Sequence, residues 1–134
     1  MGIMRRIWLI SLLLLQIGTR PGVAEDKPTS LSDARAAVEA NMRTAEGKAY
    51  DDKLGADFTE KHLAAIRPCK KAGGDDLRSF WILAKLNGDG AVREVLLYPK
   101  TKVGECSREA LLKDRFPPPP HPAYWVSIYM KPSK

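Results

Sequence analysis

Asn87-Gly88-Asp89-Gly90 stands between two short apolar runs, and this arrangement limits the fold more than any other feature of the chain. Asn-Gly and Asp-Gly supply the positive-φ residues that tight hairpin turns need, so the flanking runs are predicted to pair as antiparallel strands. The first run, Phe80 to Leu86, is apolar on both faces except at Lys85, as a strand covered on both sides would be. The return run, Ala91 to Tyr98, shifts the phase of its apolar residues (Val92, Val95, Leu97) near Arg93-Glu94. That shift predicts a β-bulge, and Pro99 ends the strand. Further on, Tyr124, Val126, Ile128 and Met130 alternate with Trp125, Ser127 and Tyr129, the period of two of a third strand.

Helical patterns surround these strands. Ser30-Leu31-Ser32-Asp33 reads as a helix start, and Leu31, Ala34, Val38, Met42 and Ala45 follow at helical spacing. This helix is drawn from Leu31 to Glu46, with Gly47 as its stop. Lys48 to Gly55 reads as a polar turn. A second helix is expected to open with Asp57 as N-cap and Glu60 as its reciprocal partner, to present Phe58, Ala65 and Cys69 on one face, and to kink or finish at Pro68. Lys70 to Asp76, with Gly73-Gly74, reads as a connecting loop. Glu105 to Arg115 is predicted to form a short helix with Cys106, Ala110 and Leu111 turned inward. Phe116 is expected to plug the core, and Pro117 to Pro120 to act as a stiff connector; the competing reading is a proline-rich ligand for an aromatic groove. The order of elements defines an α+β domain with an antiparallel sheet.

The start of the chain bears on compartment. Arg5 and Arg6 precede an apolar stretch from Ile7 to Ile17, and Gly22-Val23-Ala24 offers small residues for a signal peptidase. The apolar stretch is shorter than the roughly 20 residues a membrane span needs. Residues 1–24 therefore read as a signal peptide, 25–56 as an N-terminal helical segment and 57–134 as the α+β domain. The mature protein is expected to begin at Glu25 in a periplasmic or secreted, oxidising setting, without a stable membrane anchor; a retained anchor is the alternative. Removing 24 of 134 residues leaves 110, enough for one domain with a modest core. The formal charge of +6 falls to +3 when Arg5, Arg6 and Arg20 leave with the leader. The remaining charges are interspersed, with no basic stripe carrying stacking aromatics, so a nucleic-acid partner is not expected.

Two cysteines, Cys69 and Cys106, follow the leader. An even pair in an exported chain reads as a disulfide, which closes a loop worth about 4 kcal/mol in chain entropy. No C-x-x-C spacing points to redox chemistry, and His62 and His121 match no zinc-ligand spacing with the cysteines. Aligning Gly90 with the glycine of a calcium loop puts Lys85 and Leu96 where acidic ligands belong, so that motif fails. Asp51-Asp52 and Asp75-Asp76 read as solvated loop carboxylates rather than an acid–base pair. No catalytic residue, cofactor site or metal site is expected. An aromatic outer face of the sheet, drawing on Trp81, Trp125, Tyr124 and Tyr129, is the candidate partner surface.

Gly88-Asp89-Gly90-Ala91-Val92, Ala110-Leu111 and Arg115-Phe116-Pro117-Pro118-Pro119, followed by a closing amphipathic strand, resemble the TonB/TolA C-terminal domain family. Cys69 before the sheet and Cys106 between strands resemble variants in which a disulfide ties two helices together. The resemblance implies a sheet of about three strands with helices packed on one face, here preceded by an extra N-terminal helix. It also implies a non-catalytic role in protein–protein contact within a cell envelope, with an envelope protein or a second copy added along an edge strand. Energy-transducing members keep an uncleaved anchor and a long spacer, which this chain is not expected to share. The alternatives are a small periplasmic enzyme or ligand carrier, with a pocket between the N-terminal helix and the sheet, or an anchored coupling factor.

Overall fold

The computed structural model describes residues 27–133. The leader read at 1–24 and the mature start at Glu25 lie outside the described residues. Three strands, β1 (Phe80–Leu86), β2 (Val92–Tyr98) and β3 (Tyr124–Met130), form one antiparallel sheet in the order β2-β1-β3. Around it lie α1 (Leu31–Met42), α2 (Ala45–Asp57), α3 (Leu63–Ile66) and α4 (Lys102–Leu111). A π-helical turn, Phe58–His62, joins α2 to α3, and a 3-10 stretch, Arg67–Gly73, follows α3. The protein is thus α+β with a three-stranded antiparallel sheet.

The hairpin forms as its turn residues require. Gly90 adopts φ 90°, and a Cβ there would collide with the Phe116 carbonyl, so both conformation and space demand glycine. The register steps from Lys85 opposite Glu94 to Leu86 opposite Val92, which inserts Arg93 as the expected bulge.

Helix boundaries differ from the sequence expectation around α1 and α2, at Asp57 and at both ends of α4. The first helix stops at Met42, because Thr44 caps a new one: its hydroxyl oxygen accepts the Gly47 N–H at 2.9 Å and its O–H donates to the Asn41 carbonyl at 3.0 Å. Gly47 is therefore no stop but a buried first-turn residue of α2, where a Cβ would run into the Asn41 carbonyl. Lys48 to Gly55, expected as a turn, is helical, with Tyr50 and Leu54 one turn apart on the buried side. Asp57 is not an N-cap; it ends α2 in helical conformation and the chain runs straight into the π turn. That wider turn rotates the following face, so Phe58, His62, Ile66 and Cys69 point inward while Ala65 is exposed. Pro68 falls at the start of the 3-10 stretch, where its missing N–H is tolerated. Finally, α4 begins at Lys102 rather than Glu105, since Thr101 accepts the Gly104 N–H at 2.9 Å, and it ends at Leu111.

Packing makes three layers. On the inner face Phe80, Ile82, Ala84, Leu86, Val95, Leu97, Tyr124 and Val126 meet Tyr50, Leu54, Phe58, Ile66, Val103, Leu111 and Phe116. Burial of each large side chain in such a core stabilises by about 1.5–3 kcal/mol. The segments drawn at 25–56 and 57–134 share this core, because Tyr50 and Leu54 pack with Phe58 and Phe116. The helices α2 to α4 occupy this face, and α1 lies on the other. There Ala34, with Leu31, Ala37 and Val38, covers Leu83, Leu96 and Trp125, which explains why β1 is apolar on both sides. Asn41 of α1 and Thr29 before it fasten the layer, through the Trp125 carbonyl at 3.0 Å and the Glu94 carboxylate at 2.8 and 3.1 Å. Cys69 and Cys106 are bonded, with Cα atoms 5.4 Å apart, which ties the 3-10 stretch to α4.

Candidate functional site

The two outer edges of the sheet differ. Along β2 the Val95 carbonyl accepts a hydrogen bond from Arg108 Nε at 3.2 Å, and the Val92 N–H donates to the Asp114 carbonyl at 3.1 Å. Ala91 forms an antiparallel bridge with Arg115. This edge is closed over much of its length by α4 and the segment after it. Along β3 the Trp125 carbonyl is taken by Asn41. In an antiparallel strand every second residue turns both backbone groups the same way. Ser127 and Tyr129 therefore point outward with Trp125, and no described strand pairs with that edge. Among the described residues the edge is open over its second half.

Beside the open edge the outer face carries a row of rings. Trp81 on β1 stands opposite Tyr98 on β2 and Tyr129 on β3, all three about half exposed. Trp81 and Tyr129 pack with centroids 4.9 Å apart at 47°. The middle of α1 runs beside this row. Between them lies a half-open groove of about 270 Å³, lined by Arg35, Val38 and Glu39 of α1 and by Trp81, Leu83, Tyr98 and Ser127 of the sheet.

Of the aromatics considered from sequence, Trp81 and Tyr129 face outward and meet. Trp125 is buried under α1, and Tyr124 lies on the inner face against Tyr50, at 5.2 Å. The groove wall on α1 was not legible, because Arg35 and Glu39 look like ordinary surface charges one helical turn apart.

A second polar cluster lies in the inner layer. His62, 7 % exposed, has Nε2 at 3.0 Å from Asp57 and Nδ1 at 2.9 Å from Asp114. Each ring nitrogen is thus engaged by a carboxylate oxygen, one from α2 and one from the segment after α4. Burial works against the Asp57 carboxylate, but hydrogen bonds from Lys61 and His62 and their positive charges outweigh it, holding its pKa below the ordinary carboxylate range. The His62 ring meets the Phe116 ring edge-on at 4.7 Å. With both nitrogens engaged and the ring buried, the cluster ties α2 to the segment after α4. It was not legible beforehand: Asp57 is five residues before His62, a separation that the π turn brings within bonding reach, and Asp114 is remote in the chain.

The remaining sequence candidates are structural or solvated. Tyr50 donates its hydroxyl to the Pro117 carbonyl at 2.7 Å, and burial, with Tyr124 and Asp57 nearby, pushes its pKa well above the usual value. The proline run is thereby fastened to α2 as a connector. His121 is exposed and donates from Nδ1 to the Pro122 carbonyl at 2.9 Å. Asp51 and Asp52 lie on α2 rather than in a loop; partial burial and then the Asp52 charge raise the Asp51 pKa. Asp76 forms a two-point ion pair with Arg78 at 2.8 and 3.0 Å. Among the described residues no helix is long and apolar enough to cross a membrane. Compared with protein-family models, curated proteins and solved structures, the chain matches none.

Proposed function

We propose that this protein is an exported, non-catalytic binding module of the cell envelope that takes an extended segment of a partner protein onto β3. The observation that carries the reading is the contrast between the two sheet edges: β2 is capped by Arg108 and Asp114, while β3 keeps outward backbone groups at Ser127 and Tyr129. An uncovered edge is a template for strand addition, in which main-chain hydrogen bonds supply much of the affinity. The disulfide supports an oxidising compartment, and residues 1–24 read as the export signal for reaching it. The likeness of the Gly88–Val92 and Arg115–Pro119 motifs to TonB/TolA C-terminal domains supports the same role. The engaged state of His62, the buried one of the two histidines, favours binding over catalysis.

The test is capture from an envelope fraction with the protein and with Ser127→Pro as baits. Proline removes the outward N–H of Ser127 without touching the β1–β3 ladder. The expected result is a folded variant that captures no partner. Equal capture by both baits would remove the edge from the account.

A further inference from the structure

We infer that the groove between α1 and the sheet is a specificity pocket for one aromatic side chain of the peptide that lies along β3. This rests on the edge reading above and adds to it the chemistry of the partner. Ser127 belongs to both features, being an outward residue of the open edge and part of the groove lining. The outer face of β3 carries Trp125, Ser127 and Tyr129, so the small serine is a gap between two rings. Side chains on an added strand lie directly opposite or one step diagonal to those of β3, and a long one opposite Ser127 passes over it into the groove.

Size and chemistry select what enters. The groove holds about 270 Å³ and is half open, below the roughly 300–1,000 Å³ of pockets that enclose a small-molecule ligand. That is room for one large side chain. Its floor and far wall are Leu83, Trp81 and Tyr98, with Trp81 44 % and Tyr98 53 % exposed, surfaces suited to edge-to-face and offset ring packing. The α1 wall carries Val38 between Arg35 and Glu39. Neither charge forms an ion pair or hydrogen bond among the described residues. Their opposite signs leave the wall without net charge, so a partner carboxylate drawn to Arg35 is also brought against Glu39, and a partner ammonium drawn to Glu39 is brought against Arg35. An aromatic ring meets no such conflict: Arg35 can lie over its face, and Glu39 can accept from a phenol O–H or indole N–H.

The experiment titrates the ¹⁵N-labelled protein with two short threonine-rich extended peptides that differ only at the central residue, phenylalanine or alanine. The phenylalanine peptide is expected to shift the Ser127 and Tyr129 amides and the Trp81 indole N–H, and to bind at least roughly tenfold more tightly. Filling the groove from inside, by Ser127→Trp or from the helix by Val38→Phe, should abolish that preference while the β3 amides still respond. If both peptides shift the β3 amides with equal affinity, strand addition stands and the aromatic pocket is overturned. If neither peptide reaches the β3 amides at millimolar concentration, both readings fall.

Discussion

Asn41 places its side-chain amide 3.0 Å from the Trp125 carbonyl, and that one contact divides the outer edge of β3 into two parts. Upstream the edge is covered by α1; downstream, from Ser127, it is open among the described residues. The same helix covers Trp125 and leaves Trp81 exposed, so one element sets both the length of the available edge and the wall of the groove beside it.

Loss of the disulfide should weaken the fold by about 4 kcal/mol. The bond joins the 3-10 stretch to α4 across the inner layer. Urea unfolding of Cys69→Ser with Cys106→Ser, set against the parent, measures the cost. Titration of the unreduced protein should find no reactive thiol; two would show that the bridge does not form.

Phe116→Ala should cost about 3–5 kcal/mol. The ring is 2 % exposed and packs against both Phe58, at 6.3 Å, and His62. An unfolding midpoint close to that of the parent would mean that the proline connector is not anchored through this side chain.

The Asp57 carboxylate has a pKa lower in the folded chain than in the unfolded one. Its contribution is therefore fully present above the unfolded value of about 3.9 and is lost as pH falls through the lower folded value. Asp57→Asn should be less stable than the parent at neutral pH, and the gap should shrink below about pH 4. Denaturant midpoints recorded across this range decide the matter, since a gap independent of pH would mean that Asp57 does not act through its charge.

Gly90→Ala should destabilise by at least about 1–3 kcal/mol, from positive φ and from collision with the Phe116 carbonyl. Gly88→Ala is its control, because a Cβ there meets only Pro122 at an ordinary 3.5 Å. Equal effects at the two sites would contradict the hairpin geometry.

The strands were readable because their signals are local: a turn of Asn and Gly, a phase change at Arg93 and strict alternation after Tyr124. Phe116 and the cysteine pair were readable by chemistry. The α2 helix was hidden by Gly47, Gly55 and the Asp51-Asp52 pair, which look like a loop and yield only because Tyr50 and Leu54 are buried by the sheet. The boundary at Asp57 failed for a related reason, since its carboxylate serves Lys61 and His62 instead of the backbone. A pocket between the N-terminal helix and the sheet was among the alternatives, but the residues that line the groove could not be read. They depend on where α1 lies across the sheet relative to Trp81, which no spacing within α1 encodes.

The most direct test of the edge is amide hydrogen exchange at Ser127 and Tyr129, with and without the captured partner. Both amides should exchange rapidly in the protein alone and become protected in the complex, while those of Val95 and Leu97 on the opposite edge stay unchanged. Protection confined to β2 or to the helices, with Ser127 and Tyr129 still exchanging rapidly, would contradict the account.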